Sequence, residues 1–309
     1  MTPSAGSRGG RSGRRAGVPR ALRLLTLGIV ALLAVVYLGV PIGFAAWASI
    51  RHPAEVGTPP PGFGNVTLAA EDGVALEAWY APTSNGAAII LLHGATDSRE
   101  GVRAHAQMLA ARGYGVIAPD LRGHGESGGH GNAYGWEGTR DVRAAAAFLQ
   151  QQPGVRAIGG LGLSLGGEIL LGALNATPSL GAVASEGATY RSIGDFLALP
   201  GREGIVQSWM PRVMFAATGV FTGDEPPVPI LESLAEAPDV PLLLIVSARK
   251  PSEVDYNTRF AETAGPRAEV WIVEDAGHTG AFAAHAGEYA DRVGNFFEGA
   301  LITPGWSGE

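Results

Sequence analysis

The sequence has no cysteine, which removes disulfides, a thiolate nucleophile and thiolate metal ligands together. It is poor in charge: 17% of residues, with a net charge of −7 at neutral pH. A nucleic-acid surface needs basic patches, so that class of partner is excluded. There is no G-x-x-x-x-G-K-[ST] phosphate loop and no dinucleotide fingerprint, so nothing calls for a nucleotide, and no cofactor or metal is expected. The missing cysteines leave the compartment open. A chain of 309 residues with 46% hydrophobic content builds a core without staples.

What is present begins with a segment of different texture. Residues 1–20 are Gly, Ser and Arg with almost no apolar content, and are expected to form a disordered basic N-terminus. Residues 21–50 read as a transmembrane signal anchor. No charged residue occurs from Leu24 to Ala48, and a helix of that length rises about 37 Å against a hydrocarbon core of about 30 Å. Pro41 is expected to kink or end it, and Tyr37 and Trp47 suit the membrane interfaces. Arg8, Arg11, Arg14, Arg15, Arg20 and Arg23 precede the run, and only Arg51 follows closely. This positive-inside bias places the N-terminus in the cytoplasm and the remaining chain outside, in a single-pass arrangement. The rival is a cleavable signal peptide, with small residues at Ala46–Ala48 and a mature start at Ser49. The apolar run is longer than the usual signal core of about 7–15 residues. Residues 51–64, rich in Pro and Gly, are expected to be a stiff linker, and 302–309 a flexible C-terminus.

From 65 to 301 the texture is globular. "NVTL" and "VALEAWYAP" alternate like two antiparallel strands joined at Glu71–Gly73. "AAIILLHG", "YGVIAPD", "VRAIGGLGL", "LGAVASEG", "VPLLLIVSA" and "AEVWIV" are continuous apolar runs, the mark of strands buried on both faces. Helical stretches separate them. Strands alternating with helices imply an α/β fold: a mostly parallel central sheet with helices on both faces, and ligands collecting at the carboxyl ends of the strands. Residues 188–238 break the rhythm and are expected to be a lid or cap insertion lining an acyl pocket with "FLAL", "WMPRVMF" and "GVF".

One stretch carries chemistry. "GGLGLSLGGEILL" turns from strand to helix at Ser164, with glycines two positions to either side, Gly162 and Gly166. A sharp strand–helix bend lifts the central side chain off the sheet edge, and a Cβ two positions away would collide with the neighbouring elements. This is the G-x-S-x-G nucleophile elbow in its required context. A serine hydroxyl needs a base to take its proton. Of seven histidines, His278 follows the last strand and precedes the last helix, again at the carboxyl edge. His93 and His124 also stand at strand ends, His105 and His285 on helices, His130 in a loop and His52 in the linker.

"LLHG" (Leu91–Gly94), "DLRGHGES" (Asp120–Ser127), "GLSLGG" (Gly162–Gly167) and "DAGHT" (Asp275–Thr279), in that order, resemble the α/β-hydrolase superfamily over residues 65–301. The resemblance implies an oxyanion hole from the backbone N–H groups of Ala95 and Leu165. It also implies an acid after "VPLLLIVSA" to orient the imidazole. The commonest spot for that acid holds Lys250. Carboxylates follow in "PSEVDYN", where the pattern of anchored members of the superfamily implies Glu253, with Asp255 as the alternative. In "DLRGHGES" the resemblance implies a structural loop, with Arg122 expected to pair with Asp120. The implied reaction is acyl transfer to water from a small carboxylic ester. Thioester or amide hydrolysis, acyl transfer to an alcohol, and a membrane-tethered binding protein with a dead site stand as alternatives. A dehalogenase would need an aspartate at position 164. The oligomeric state has no signature.

Overall fold

The computed structural model describes residues 19–237 and 239–303. The expected disordered N-terminus (1–20) and flexible C-terminus (302–309) fall almost wholly outside the described residues. The chain divides into two compact units, Met1–Val40 and Pro41–Glu309.

The described part of the first unit is helical. Helix α1, Arg20–Ala34, runs into a π turn, Val35–Gly39. Helix α2, Val40–Ala48, continues it into the second unit. The whole, Arg20–Ala48, is one helix long and apolar enough to cross a membrane, with an 18-residue window of mean hydropathy 2.4. The expected break at Pro41 takes another form: the helix persists to Ala48, and the distortion falls on the wider turn just before the proline, whose ring supplies no N–H.

The second unit is organised by one eight-stranded sheet. Strand β1 (His52–Pro53) lies outside it. The sheet strands are β2 (Gly64–Ala69), β3 (Ala75–Ala81), β4 (Ala87–Leu92) and β5 (Gly115–Pro119), then, after the short β6 (His124–Gly125), β7 (Ala157–Leu163), β8 (Leu180–Glu186), β9 (Leu242–Ser247) and β10 (Ala268–Val273). Their spatial order is β10-β9-β8-β7-β4-β5-β3-β2. β2 and β3 pair antiparallel, as does β3 with β5, and every other pair in the sheet is parallel. This is the expected architecture, antiparallel entry included.

Helices cover both faces: α3 (Arg103–Ala111), α4 (Gly138–Gln150), α5 (Leu165–Gly172), α6 (Ile193–Leu197), α7 (Ile205–Thr222), α8 (Ile230–Glu236), α9 (Pro251–Ala264), α10 (Ala281–Ala284) and α11 (Ala286–Leu301). Side chains of β4 alternate between the two cores. Ala88, Ile90 and Leu92 join residues of α4, α5, α8 and α9, while Ala87, Ile89 and Leu91 join those of α3 and α11. All six are fully buried, which is why this strand reads as an unbroken apolar run. At about 1.5–3 kcal/mol per large aliphatic side chain, such burial supplies the main driving force.

Two expectations need correction. Residues 51–64 are not a free spacer. The His52 N–H donates to the Gly123 carbonyl at 2.8 Å and the Ala54 N–H to Gly125 at 3.2 Å, forming a parallel bridge between β1 and β6. The Arg51 guanidinium donates to the Ser127 carbonyl and that of Arg103 to Thr58, each at 2.7 Å. Backbone donors and the His52 ring, 5.3 Å from His124, find partners on the domain, so the segment is laced down. The second correction concerns 188–238. Three helices, α6 to α8, do stand between β8 and β9, but Ile230, Leu234 and Leu199 are spent in the core beside α5 and α9.

Candidate active site

Strand β7 passes into α5 through a single residue. Ser164 has φ 51° and ψ −116°, a conformation that costs a non-glycine residue about 1–3 kcal/mol. Its N–H donates to the Glu186 carbonyl at the end of β8 at 2.7 Å, and its own carbonyl accepts the Glu168 N–H at 3.0 Å. The glycines make the bend possible by contact. A Cβ on Gly162 would lie 2.3 Å from the Gly166 carbonyl carbon, and one on Gly166 would lie 2.6 Å from the Leu92 oxygen.

The loop after β10 brings His278 to this turn. Its Nε2 lies 2.9 Å from Ser164 Oγ and its Nδ1 lies 2.5 Å from Glu253 Oε1. A carboxylate only accepts, so Nδ1 carries the proton and Nε2 is left to accept from the serine hydroxyl. Glu253 is 1% exposed and stands in the first turn of α9, where the helix dipole favours a carboxylate. Its second oxygen accepts the Ser247 N–H at 3.1 Å. Asp255, two residues along, is exposed and borders a separate depression with Arg202 and Arg259. Of the two candidate acids the fold thus brings Glu253 to the imidazole and leaves Asp255 away from it.

Ser164 and His278 line a cavity of about 530 Å³ with Ala95, Asp97, His105 and Phe282. Leu165 opens α5 directly behind the serine. Among the described residues, neither the Ala95 nor the Leu165 N–H donates a hydrogen bond within the protein. The cavity takes no lining from 188–238, so the expected acyl-pocket role of "FLAL", "WMPRVMF" and "GVF" does not appear. Residues 94–105 and 278–283 form the walls instead. The described non-glycine residues with left-handed φ are Thr96, Ser164 and Thr279, and all three sit at or beside this cavity, where strain marks functional backbone.

Residues 89–292 match the alpha/beta hydrolase family. The chain belongs to that family. Comparison with curated proteins finds no match. Among solved structures, the Pyrococcus furiosus esterase Pf2001 is similar at 25% identity and TM-score 0.64, covering 81% of this chain and 100% of its own. A dienelactone hydrolase from Anabaena variabilis (17% identity, TM-score 0.56, 79% and 100% covered) and the Penicillium alpha/beta hydrolase GrgF (17%, 0.61, 78% and 99%) share the fold.

The hydrolase holds further polar groups at the site that sequence reasoning passed over. Glu186, 2% exposed, ties two loops together: its backbone oxygen holds Ser164, and its Oε1 accepts the Ala281 N–H at 2.9 Å. Burial raises its carboxyl above the usual range, with the nearby Glu253 charge adding to the effect. Burial likewise drives the neighbouring Tyr289 hydroxyl far up. The available signal was a carboxylate ending a buried strand at the sheet's carboxyl edge. His105, read as a helix residue, is 6% exposed. Its ring centroid is 4.6 Å from that of Phe282, and burial pushes its pKa down to about 4, so the imidazole is neutral at pH 7. Gly187 has φ +74°, and a Cβ there would fall 3.1 Å from Cε1 and Nδ1 of His278.

The remaining histidines lie elsewhere. His93 accepts the Leu121 N–H through Nε2 at 3.0 Å. His130 meets Asp224 at 2.9 Å, and His285 meets Asp275 at 2.6 Å. The "DLRGHGES" loop also differs from expectation. Asp120 pairs with Arg99, whereas Arg122 pairs with Asp141 and Asp72. Asp120 is occupied because it also caps the Arg99 and Glu126 N–H groups, at 2.6 and 2.8 Å.

Proposed function

We propose that this hydrolase is a serine esterase working through an acyl-enzyme, with Ser164 as nucleophile, His278 as general base and acid, and Glu253 as the orienting acid. The observation that carries the proposal is the continuous line from Ser164 Oγ to His278 Nε2 (2.9 Å) and from Nδ1 to Glu253 (2.5 Å). As Ser164 Oγ attacks the ester carbonyl carbon, its proton passes to His278 Nε2, and Glu253 stabilises the imidazolium. The N–H groups of Ala95 and Leu165 receive the oxyanion. Each such donor is typically worth about 2.7–4 kcal/mol of barrier. The tetrahedral intermediate collapses, the C–O bond to the leaving group breaks, and the imidazolium protonates the departing alkoxide. Water, deprotonated by His278, then attacks the acyl carbon and releases the acid and the serine hydroxyl. The name of the Pyrococcus furiosus esterase favours carboxylic esters as the first substrate class. The Arg20–Ala48 helix supports a single-pass anchor, and the excess of arginines before it favours a domain outside the cytoplasm from about residue 52 onward.

The test is a fluorophosphonate probe with a graded series of p-nitrophenyl esters on the full chain. Labelling that disappears in Ser164→Ala, together with ester turnover in the wild type, is the expected result. Undiminished labelling of Ser164→Ala removes the assignment.

A further inference from the structure

Helix α7 buries Phe215 but carries much of its remaining apolar surface outward. Its fully buried positions include Ser208 and Thr218, whose hydroxyls turn back onto the Gly204 and Met214 carbonyls at 2.9 and 3.0 Å. Its most exposed positions are Ile205 (79%), Val206 (78%) and Val220 (81%), with Phe221 at 49%. At about 100° per residue, the exposed Ile205, Val206, Ala216 and Val220 fall within one arc of about 100°, about 22 Å long from Ile205 to Val220, while Val213 and Ala217 on or beside that arc are half-buried. The only charged residue in the helix is Arg212. An amphipathic helix on a domain in water turns such a stripe toward the core. This one leaves large apolar side chains outside at both of its ends, and exposed apolar side chains grouped on one element mark a contact surface.

We propose that this outward stripe of α7 rests on a lipid surface, the same bilayer that the Arg20–Ala48 helix enters; the proposal rests on the reading of that helix as an anchor. Two observations select lipid as the occupant. First, only Ser49, Ile50 and Arg51 separate the end of the apolar helix from β1, which is already bonded to the domain. The chain therefore leaves only three residues between the end of that helix and the first strand of the domain. Second, one short loop holds the ends of both helices. The Ala133 N–H donates to the Ala48 carbonyl at 2.8 Å. In the same loop, Asn132 Nδ2 donates to Asp224 at 2.8 Å and His130 Nε2 meets it at 2.9 Å, two residues beyond the end of α7. The Val220–Phe221 end of the stripe is thus pinned beside the point where the apolar helix leaves off. An apolar helix face lying in the headgroup boundary is a standard mode of lipid contact.

The absence of cysteine makes the test direct. Single cysteines at Leu27, Val206, Val220 and the exposed α3 residue Gln107 are labelled with an environment-sensitive fluorophore. The full chain is then reconstituted in phosphatidylcholine/phosphatidylglycerol vesicles containing doxyl-labelled lipid. Each variant is first checked for fluorophosphonate reactivity, and Ile205→Cys or Phe221→Cys replaces any variant that fails it. The expected result is loss of emission at Leu27, Val206 and Val220 and none at Gln107. Quenching at Leu27 with Val206 and Val220 behaving like Gln107 overturns the lipid contact and leaves the anchor standing. No quenching at Leu27 removes the anchor, and the proposal with it. Blue-shifted α7 probes that lipid quenchers do not reach, and that shift back on dilution in detergent, would assign the face to a second copy and overturn the proposal.

Discussion

The bend at Ser164 and helix α7 lie at opposite ends of a scale of constraint. At the bend every position is decided by atoms within a few ångströms, and added Cβ atoms at 162 and 166 would meet backbone at 2.3 and 2.6 Å. On α7, Ile205, Val206 and Val220 are 78–81% exposed, and the sequence there is free to answer to the medium outside. Steric necessity at the first site leaves a motif of fixed spacing. At the second it leaves a periodic stripe whose meaning depends on which way the helix faces.

The largest expected effect sharpens the first side. Ser164→Ala should lower ester hydrolysis by about 10⁴-fold or more while leaving thermal unfolding unchanged, as read from initial rates and a melting curve. Next comes Glu253→Gln, expected to cost about 10²–10⁴-fold in kcat, while Asp255→Asn changes kcat less than about twofold. Equal losses in the two variants would contradict the geometry at His278. Gly162→Ala should destabilise by about 3 kcal/mol or more, because backbone rather than a yielding side chain blocks the new methyl; chemical denaturation of the full chain in detergent measures it.

A pH effect comes next. His105 has its folded pKa lowered to about 4 from 6.5, so between those values the unfolded chain binds a proton that the folded chain refuses. Stability is therefore full above pH 6.5 and falls as pH drops toward 4, by on the order of 3 kcal/mol for this one group. His105→Phe should flatten that part of a melting-temperature profile, and an unchanged slope would show that the ring titrates freely. The smallest effect tests the other side: Val220→Ser should change domain stability by less than about 0.5 kcal/mol. A loss of several times that would mean the stripe is packed against protein.

The same contrast explains what the residues alone conveyed. The sheet was legible because β4 and β9 are buried on both faces and read as unbroken apolar runs. Ser164 and His278 were legible because strand–helix transitions place them at one edge. The choice between Glu253 and Asp255 was not, since one helical turn decides which carboxylate enters the interior and which meets water. Glu186 was hidden for a related reason: its work is done by a backbone oxygen and a carboxyl reaching across to Ala281, contacts 22 and 95 residues away in sequence that carry no periodicity. The proline-rich stretch after the apolar helix looked like a tether because polar backbone gives no hint of its partners, and those lie about 70 residues further on, at Gly123 and Gly125.

Gly187 has a consequence for anyone rebuilding this site elsewhere. The imidazole of His278 leans on the spot where a methyl would otherwise stand. Transplanting the serine, the histidine and the glutamate onto another parallel sheet would therefore carry over only half of the apparatus. The graft must also import three vacancies, at 162, 166 and 187, because the recipient's ordinary alanines would push the nucleophile and its base apart before any substrate arrived.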